Sequence, residues 1–350
     1  MVSAYLNQVV TAVPDHDMHV KFVSYAPRLL APQYQPLFRR MAQRSQIEHR
    51  YSFLQPHAND DALDAGGFYT RGRFPDTQRR MEFYEDNAFT LARRALDPLD
   101  LGGVTHLIVT TCTGFYAPGL DLQVVAHYGL APSVERTVVG FMGCYAGLNA
   151  LKLARHIVRS EPSSRVLILN LELCTLHFQE NGTLEEMLSF LIFADGCAAS
   201  LVTAEPKGIE LQAFTTTLLP DTEDQITWHI GGLGFDMNLS GRVPGTIAAN
   251  LPRNLDAVLC GAKRENIAHW AVHPGGRTIL DAVRDGAELQ ESQLAESRDI
   301  LRRYGNMSSA SVMFVLHEIM QGKKRSGEGC AMAFGPGLTV ESMRFTAEAA

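Results

Sequence analysis

The stretch VVGFMGCYAGLNALKLA, residues 138–154, is the part of the sequence that decides the fold. A β-branched apolar run ends at Gly140, and a helical pattern of apolar residues follows from Leu148. Cys144 lies between two glycines at the corner between the predicted strand and the predicted helix. A cysteine at a helix N-terminus meets the positive end of the helix dipole and free backbone N–H groups, which favour the thiolate. Cys144 is therefore a candidate nucleophile, against the alternative of a small buried core residue.

Composition and charge restrict the class of protein. The chain has 350 residues, of which 46% are hydrophobic and 20% are charged, and its formal net charge is −7. These values are typical of a globular protein with a large core, and the scattered Lys and Arg residues give no basic patch for nucleic acid. No apolar run reaches about 18 uncharged residues, so the sequence predicts no stable membrane span. The N-terminal residues also lack the basic and apolar regions of a secretory signal.

The cysteines are scattered, and no pair has the C-x-x-C spacing of a zinc or redox site. Several lie in apolar runs that are typical of buried strands. We therefore expect free thiols in a reducing compartment, and we predict a cytoplasmic protein without a structural metal. The six positions are 112, 144, 174, 197, 260 and 330.

Two segments of the chain repeat the same order of predicted elements. One buried strand ends at Cys112, and Cys144 follows 32 residues later. Another buried strand ends at His273, and Asn306 follows 33 residues later. Cys144 and Asn306 each come directly after a glycine, at a corner that opens an apolar helix. The matching spacing indicates an internal duplication.

The duplication predicts an α/β fold with two halves, residues 1–205 and residues 206–350. Each half would form a layered sheet, and the buried helices of the two halves would pack between the sheets. If the N-termini of these helices meet at the centre, Cys144 from the first half shares a pocket with His273 and Asn306 from the second.

The two residues of the second half have structural alternatives. A histidine at a strand end can be a surface residue, and an asparagine before a helix is commonly an N-cap. As a pair, however, a neutral imidazole N–H and a carboxamide N–H can hold a thioester oxygen as it becomes an enolate, without protonating the carbanion. With a cysteine nucleophile beside them, His273 and Asn306 favour a decarboxylating Claisen condensation.

These motifs resemble the type III polyketide synthases, the chalcone and stilbene synthase family of the thiolase fold. The resemblance runs from about residue 36 to the C-terminus, and it is carried by GCYAGLNALKLA, FADGCAASLV, HPGGRTILD, YGNMSSASVM and FGPGLTVE. It implies a five-layered αβαβα arrangement, a homodimer, and acyl transfer from acyl-CoA and malonyl-CoA with no separate cofactor. It also implies that Cys144 holds the starter and the growing chain. His273 and Asn306 would drive malonyl-CoA decarboxylation and stabilise the enolate.

The resemblance assigns further binding residues. Phe193, in LIFADG, and Phe235, in GGLGFDMNLSG, match the two phenylalanines at the junction of the CoA tunnel and the cavity. Arg44 and Arg50, in RSQIEHRY, match basic residues for the CoA phosphates. Without the family, both phenylalanines would be predicted as core and both arginines as an exposed helix face.

Some positions depart from the family pattern. Cys112 and Cys174 stand where plant members commonly carry threonine, and Ala117 stands where a methionine reaches across the dimer. A stilbene-type Thr–Glu–Ser network would keep Glu172 and Ser308 but have Cys112 in place of its threonine, and a thiol is a weaker hydrogen-bonding group. The small Ala117 would widen the cavity or open a tunnel.

The expected function is condensation of an acyl-CoA starter with malonyl-CoA. A fatty acyl starter is favoured because TRGRFPDTQRRM and WHIGGLGFDMNLSG resemble bacterial enzymes with long starters. The product would be an alkylresorcinol, alkylresorcylic acid or alkylpyrone. Alternatives are a short or aromatic starter, with a chalcone-, phloroglucinol- or tetrahydroxynaphthalene-type product, and a ketoacyl synthase III-like enzyme. A cysteine hydrolase, with Cys, His and Asn in the chain order of papain-like peptidases, and a non-catalytic CoA-binding relative also stay open.

Overall fold

The computed structural model describes residues 2–59, 62–180, 182–322 and 326–347. The strands are β1 (Tyr5–Ala12), β2 (His16–Asp17), β3 (Tyr51–Ser52), β4 (His106–Thr111), β5 (Glu135–Gly140), β6 (Val166–Leu173), β7 (Asp195–Thr203), β8 (Ile209–Leu218), β9 (Ile226–Gly231), β10 (Gly234–Leu239), β11 (Ile267–Val272), β12 (Gly327–Gly335) and β13 (Thr339–Ala347). The α-helices are α1 (His19–Tyr25), α2 (Gln35–Arg44), α3 (Thr77–Leu96), α4 (Leu120–Tyr128), α5 (Ala146–Ser160), α6 (Leu184–Phe190), α7 (Val243–Val258), α8 (Arg277–Gly286), α9 (Ala295–Tyr304) and α10 (Ser311–Gln321).

The predicted duplication is present in the strand pairing. Within the described ranges, nine strands form one mixed sheet in the order β11-β12-β13-β8-β1-β7-β6-β4-β5. In the first half β4 and β6 are parallel, and β7 and then β1 follow as antiparallel neighbours. In the second half β11 and β12 are parallel, and β13 and then β8 follow in the same way. The two sets meet where β1 pairs with β8.

The layers follow from side chains that alternate between the two faces of each strand. In β4, Leu107 and Val109 pack in the cluster that contains α3 and α4, while Ile108 packs in the cluster that contains α5 and α10. In β11, Trp270 packs with α7 and α8, while Ala271 belongs to the same central cluster as Ile108. The two halves of the sheet therefore act as two layers: helices cover the outer face of each half, and α5 and α10 lie between them. This confirms the predicted five-layered α/β arrangement.

Local sequence signals explain several element ends. The side chain of Asp76 caps α3 by accepting a hydrogen bond from the Arg79 backbone N–H at 2.9 Å. Gly129 ends α4 with a φ of 59°, a left-handed conformation that glycine adopts without steric cost. β4 and β6 are buried along their whole length, as their continuous apolar sequences predicted.

The junction of the halves is one part of the fold that the sequence patterns missed. β1 and β8 lie in segments for which they predicted no strand. β1 pairs with β7 through most of its length, with a register shift between Leu6 and Gln8, and touches β8 at Tyr5 and Leu6. No helix of the described ranges combines the length and the apolar character needed to cross a membrane.

Candidate active site

A cavity lies where the N-termini of the two central helices meet. Cys144, His273 and Asn306 all line it, as the duplication predicted. Most of the remaining wall is apolar, with side chains from β9, β10, α6, α7 and α8.

Two glycines allow the halves to approach each other at this point. A Cβ on Gly147, in the first turn of α5, would lie 2.6 Å from the backbone oxygen of Ser309 in the other half. Gly143 has a φ of 71°, and its Cβ would lie 2.3 Å from the Cδ of Pro336. Both positions therefore require glycine, and the GPG turn that contains Pro336 forms part of the cavity wall.

Cys144 lies in a short 3-10 turn, Gly143–Tyr145, directly before α5. Burial raises the pKa of its thiol to about 11, although hydrogen bonds from Ser308 and Asn306 act in the opposite direction. Burial lowers the pKa of His273 to about 3. Desolvation therefore opposes the thiolate that the helix N-terminus favours, and it also favours the neutral form of the His273 ring.

His273 directly follows β11, and its backbone N–H donates to the Met332 oxygen at 2.8 Å. Both ring nitrogens are buried, and neither has a hydrogen-bond partner among the described residues. A neutral imidazole in a cavity wall can accept a proton at one nitrogen and donate a hydrogen bond from the other.

The backbone of Asn306 is fixed on both sides. Its N–H donates to the Ile192 oxygen at 2.8 Å, and its own oxygen accepts from the Ala194 N–H at 2.9 Å. The side-chain Oδ1 accepts from the Ser308 backbone N–H at 2.9 Å, and Nδ2 lies 3.4 Å from the Gly275 oxygen. The carboxamide oxygen is thus engaged, which leaves the NH₂ group as the donor toward the cavity.

The residues assigned by resemblance divide into two groups. Phe193, Cys112, Cys174 and Ser308 line the cavity. Phe235 does not: it is 1% exposed and lies behind the wall, stacked on His177 at 4.2 Å between ring centroids. The His177 and Trp228 rings enclose it, so Phe235 is not part of this cavity wall, and its position at the tunnel junction stays a prediction.

Ala117 also lies away from the cavity wall. It is exposed on the surface, in the segment between β4 and α4. Within one chain, its small side chain neither widens the cavity nor opens a tunnel, so that expectation has no support from the single subunit.

Glu172 has different partners from those predicted. Its carboxyl accepts from Ser309 Oγ at 2.6 Å, from Thr113 Oγ1 at 2.9 Å and from the Cys112 backbone N–H at 2.9 Å. Burial raises its pKa to about 7 against the effect of these hydrogen bonds. The side chains in the network are therefore those of Thr113 and Ser309 in place of Cys112 and Ser308, while Cys112 contributes its backbone N–H. The left-handed backbone at Ser308, with a φ of 47°, explains this exchange of partners. It directs the Ser309 side chain to Glu172 and leaves the Ser308 side chain facing the cavity.

The two arginines have unlike environments. Arg44 is exposed at the C-terminus of α2, and its backbone oxygen accepts from Arg277 Nη1 at 3.1 Å. Arg50 is 2% exposed, and its Nη1 donates to the Phe190 and Phe193 oxygens at 2.7 Å each. Contact of Arg50 with CoA phosphates is therefore contradicted, because its guanidinium is enclosed by protein.

Sequence reasoning missed the wall formed by the β9–β10 hairpin. Trp228, Met237 and Leu239 line the cavity, and Trp228 Nε1 donates to the Cys112 oxygen at 2.8 Å. Alternation of large apolar residues on either side of Gly231-Gly232 was the available signal for a hairpin.

The described part of the chain contains no cluster of His, Cys, Asp or Glu that could hold a metal ion.

The sequence matches two family domains. "Chalcone and stilbene synthases, N-terminal domain" covers residues 31–206, and "Chalcone and stilbene synthases, C-terminal domain" covers residues 210–347. The chain is 34% identical to "Alpha-pyrone synthesis polyketide synthase-like Pks18" of Mycobacterium tuberculosis, over 91% of this chain and 84% of that protein. It is 33% identical to "Bisdemethoxycurcumin synthase" of Oryza sativa subsp. japonica, over 87% of this chain and 82% of that protein.

Solved structures agree with the fold. The type III polyketide synthase domain of Steely1 from Dictyostelium superimposes with a TM-score of 0.90 at 24% identity, over 99% of this chain and 100% of that one. PKS-I from the brown alga Ectocarpus siliculosus gives 0.86 at 28% identity, over 99% of both chains. Members of the matched family are acyltransferases that need no cofactor beyond their CoA thioester substrates. The chain belongs to the chalcone and stilbene synthase family, the type III polyketide synthases.

Proposed function

We propose that Cys144, His273 and Asn306 are the catalytic residues, and that the work is divided between the halves 1–205 and 206–350. The observation that supports this most strongly is their meeting in one largely apolar cavity at the junction of the duplicated halves. In loading, Cys144 Sγ bonds to the starter carbonyl carbon as its proton passes to His273. The bond to the CoA sulfur breaks, and His273 returns the proton to that sulfur.

Chain extension takes place in the same pocket but breaks and forms different bonds. The malonyl carboxylate leaves as CO₂, and its electron pair forms a thioester enolate. The neutral His273 and Asn306 N–H groups stabilise the enolate oxygen without protonating its carbon. The enolate carbon attacks the acyl carbonyl on Cys144, and the cysteine leaves as a thiolate, ready to accept the lengthened chain from CoA.

We propose a fatty acyl starter and an alkylresorcinol, alkylresorcylic acid or alkylpyrone product. The apolar wall and the similarity to an enzyme named for alpha-pyrone synthesis support this choice. An aromatic starter is the second candidate, because a relative at 33% identity is named a bisdemethoxycurcumin synthase. Arg44, exposed near the surface, stays the proposed contact for CoA phosphate.

Incubation with malonyl-CoA and starters from acetyl- to palmitoyl-CoA, together with an aromatic acyl-CoA, tests the starter. We expect octanoyl- to palmitoyl-CoA to give products whose masses show two or three added C₂ units. Turnover of acetyl- or aromatic acyl-CoA alone would contradict the fatty starter and leave the enzyme class intact.

The network of Glu172, Thr113 and Ser309 is proposed to act on the finished chain during cyclisation. Thr113 supports this because it lines the cavity and also donates to Glu172, so it links the cavity to a buried carboxyl group. Glu172→Gln is expected to change the ratio of resorcinol to pyrone, measured by product mass, while malonyl-CoA decarboxylation is retained. An unchanged ratio would remove the network from the mechanism.

A homodimer is proposed from the unpaired edge of the sheet. Among the described strands β5 pairs with β4 alone, and its Val138 is 49% exposed. Such an edge is normally covered or paired. Val138→Lys is expected to shift the mass in solution from dimer to monomer. Val20→Lys is the matched control, since Val20 is an exposed valine on α1.

The cysteines 112, 144, 174, 197, 260 and 330 are all free thiols, which supports the proposed reducing, cytoplasmic compartment.

A further inference from the structure

Arg50 lies immediately before β3, inside the protein and behind the cavity wall. Its Nη1 donates to two backbone oxygens of one short segment, those of Phe190 and Phe193, at 2.7 Å each. The segment 190–194 connects α6 to β7 and carries Phe193 into the cavity wall. The guanidinium therefore fixes the path of this segment from behind.

The same segment holds Asn306. The Ile192 oxygen accepts from the Asn306 N–H at 2.8 Å, and the Ala194 N–H donates to the Asn306 oxygen at 2.9 Å. Arg50 also packs directly against the preceding residue: a Cβ on Gly305, whose φ is 72°, would lie 2.9 Å from Arg50 Cγ. Arg50 thus reaches the backbone of Asn306 from two directions, through segment 190–194 and through Gly305.

Arg50 is itself held in one orientation. Its Nε donates to His19 Nδ1 at 3.1 Å, its backbone N–H donates to Asp17 Oδ1 at 3.1 Å, and its guanidinium carbon lies 4.5 Å from the centroid of the Phe22 ring. Burial lowers the pKa of His19 to about 4, so its ring is neutral and can accept this hydrogen bond. A lysine at position 50 would keep the charge but lack the planar fork that serves a ring nitrogen and two carbonyls together.

The structure assigns Arg50 the role of a positioning residue for Asn306. The assignment rests on the proposed function, in which the Asn306 carboxamide stabilises the enolate. Arg50 makes no hydrogen bond to Cys144 or His273 within the described part of the chain. Its loss therefore displaces the donor needed for decarboxylation and leaves the nucleophile and its base in place.

Two partial reactions separate these effects. Malonyl-CoA decarboxylation is followed by the acetyl-CoA released, and Cys144 acylation by intact-protein mass with a starter-CoA. For Arg50→Lys we expect the kcat of decarboxylation to fall about 10- to 100-fold, the cost of a small misplacement of a catalytic group, with KM and the acylation rate nearly unchanged. Arg155→Lys is the matched control, because Arg155 also donates to two backbone oxygens but contacts β8 rather than the site.

Chemical rescue distinguishes positioning from general destabilisation. Arg50→Ala leaves room behind Phe193, and millimolar guanidinium is expected to restore decarboxylation while urea at the same concentration does not, because urea lacks the positive charge. If the melting curve shows that Arg50→Ala does not fold, the two partial reactions of Arg50→Lys decide the test. Equal loss of both partial reactions in the folded variant, or no loss of either, overturns the inference.

Asn306→Ala, measured in the same assays, separates failure of this inference from failure of the proposed function. If Asn306→Ala decarboxylates as fast as the native enzyme, the proposed role of Asn306 is wrong. If Asn306→Ala is slow and Arg50→Lys is not, the role of Asn306 stands and the inference about Arg50 is wrong.

Discussion

The two corners at the centre of the molecule have the same frame and carry different chemistry. Each follows a glycine, each begins with a 3-10 turn and continues as a central helix, and the two approach closely where Gly147 meets Ser309. At the first corner Cys144 presents a thiol to the cavity. At the second, Asn306 presents an amide whose oxygen is already engaged by the Ser308 N–H. Duplication has thus given one pocket a nucleophile from one half and a fixed donor from the other.

The corners also differ in how they are supported. Cys144 depends on close contact between the halves, with Gly143 against Pro336 and Gly147 against Ser309. Asn306 depends on backbone hydrogen bonds to the segment around Phe193. Substitutions at one corner should therefore affect reactions that substitutions at the other leave unchanged.

The largest expected effect comes from forcing the corners apart. Gly147→Leu would place a branched side chain where even a Cβ lies 2.6 Å from the Ser309 oxygen, so we expect no folded protein in a thermal melt followed by circular dichroism. Gly245→Leu is the control, since Gly245 is also in a helix but has no atom within 4 Å of its Cβ position. A cooperative melt for Gly147→Leu near the native temperature would contradict the close packing.

The second largest effect is expected from removing the Asn306 carboxamide, the hydrogen-bond donor of the second corner. Asn306→Ala is expected to slow malonyl-CoA decarboxylation about 10²- to 10³-fold, the usual cost of losing one donor to a developing oxyanion. Acylation of Cys144 should persist, because the thiol and His273 are intact. Loss of acylation with normal decarboxylation would reverse the assignment of the two corners.

The third effect concerns the protonation of the Cys144 thiol at the first corner. With the pKa of Cys144 at about 11 and that of His273 at about 3, the thiolate fraction grows about tenfold per pH unit between pH 7 and 10. Alkylation of Cys144 by iodoacetamide, measured by mass, should accelerate in proportion over this range. A rate that is constant from pH 6 to 9 would indicate a preformed thiolate–imidazolium pair instead.

Sequence patterns located both corners because each is a local signal: a buried strand, a glycine turn and an apolar helix within a few residues. They failed where the outcome depends on distant groups. The pKa of Cys144 depends on its burial and on hydrogen bonds from Ser308 and Asn306, and Arg50 is buried by α1 and by the segment that carries Phe193. The sheet junction between β1 and β8 likewise joins residues about 200 positions apart, which no local periodicity reports.

Ser308 and Ser309 show that the sequence patterns could not tell which of two neighbouring residues makes a given contact. The sequence motif NMSS led to Ser308 as the partner of Glu172, whereas Ser309 makes the contact and Ser308 faces the cavity. The left-handed backbone at Ser308 decides this, and an ordinary residue gives no sequence signal for such a conformation.

The division of labour between the two corners is tested most directly by Cys144→Ala in malonyl-CoA decarboxylation. The acetyl-CoA released per unit time should stay close to the native rate, while products longer than acetyl disappear, because His273 and Asn306 stabilise the enolate without the thiol. Loss of decarboxylation in a folded Cys144→Ala variant would contradict the separation of nucleophile and donors between the two halves.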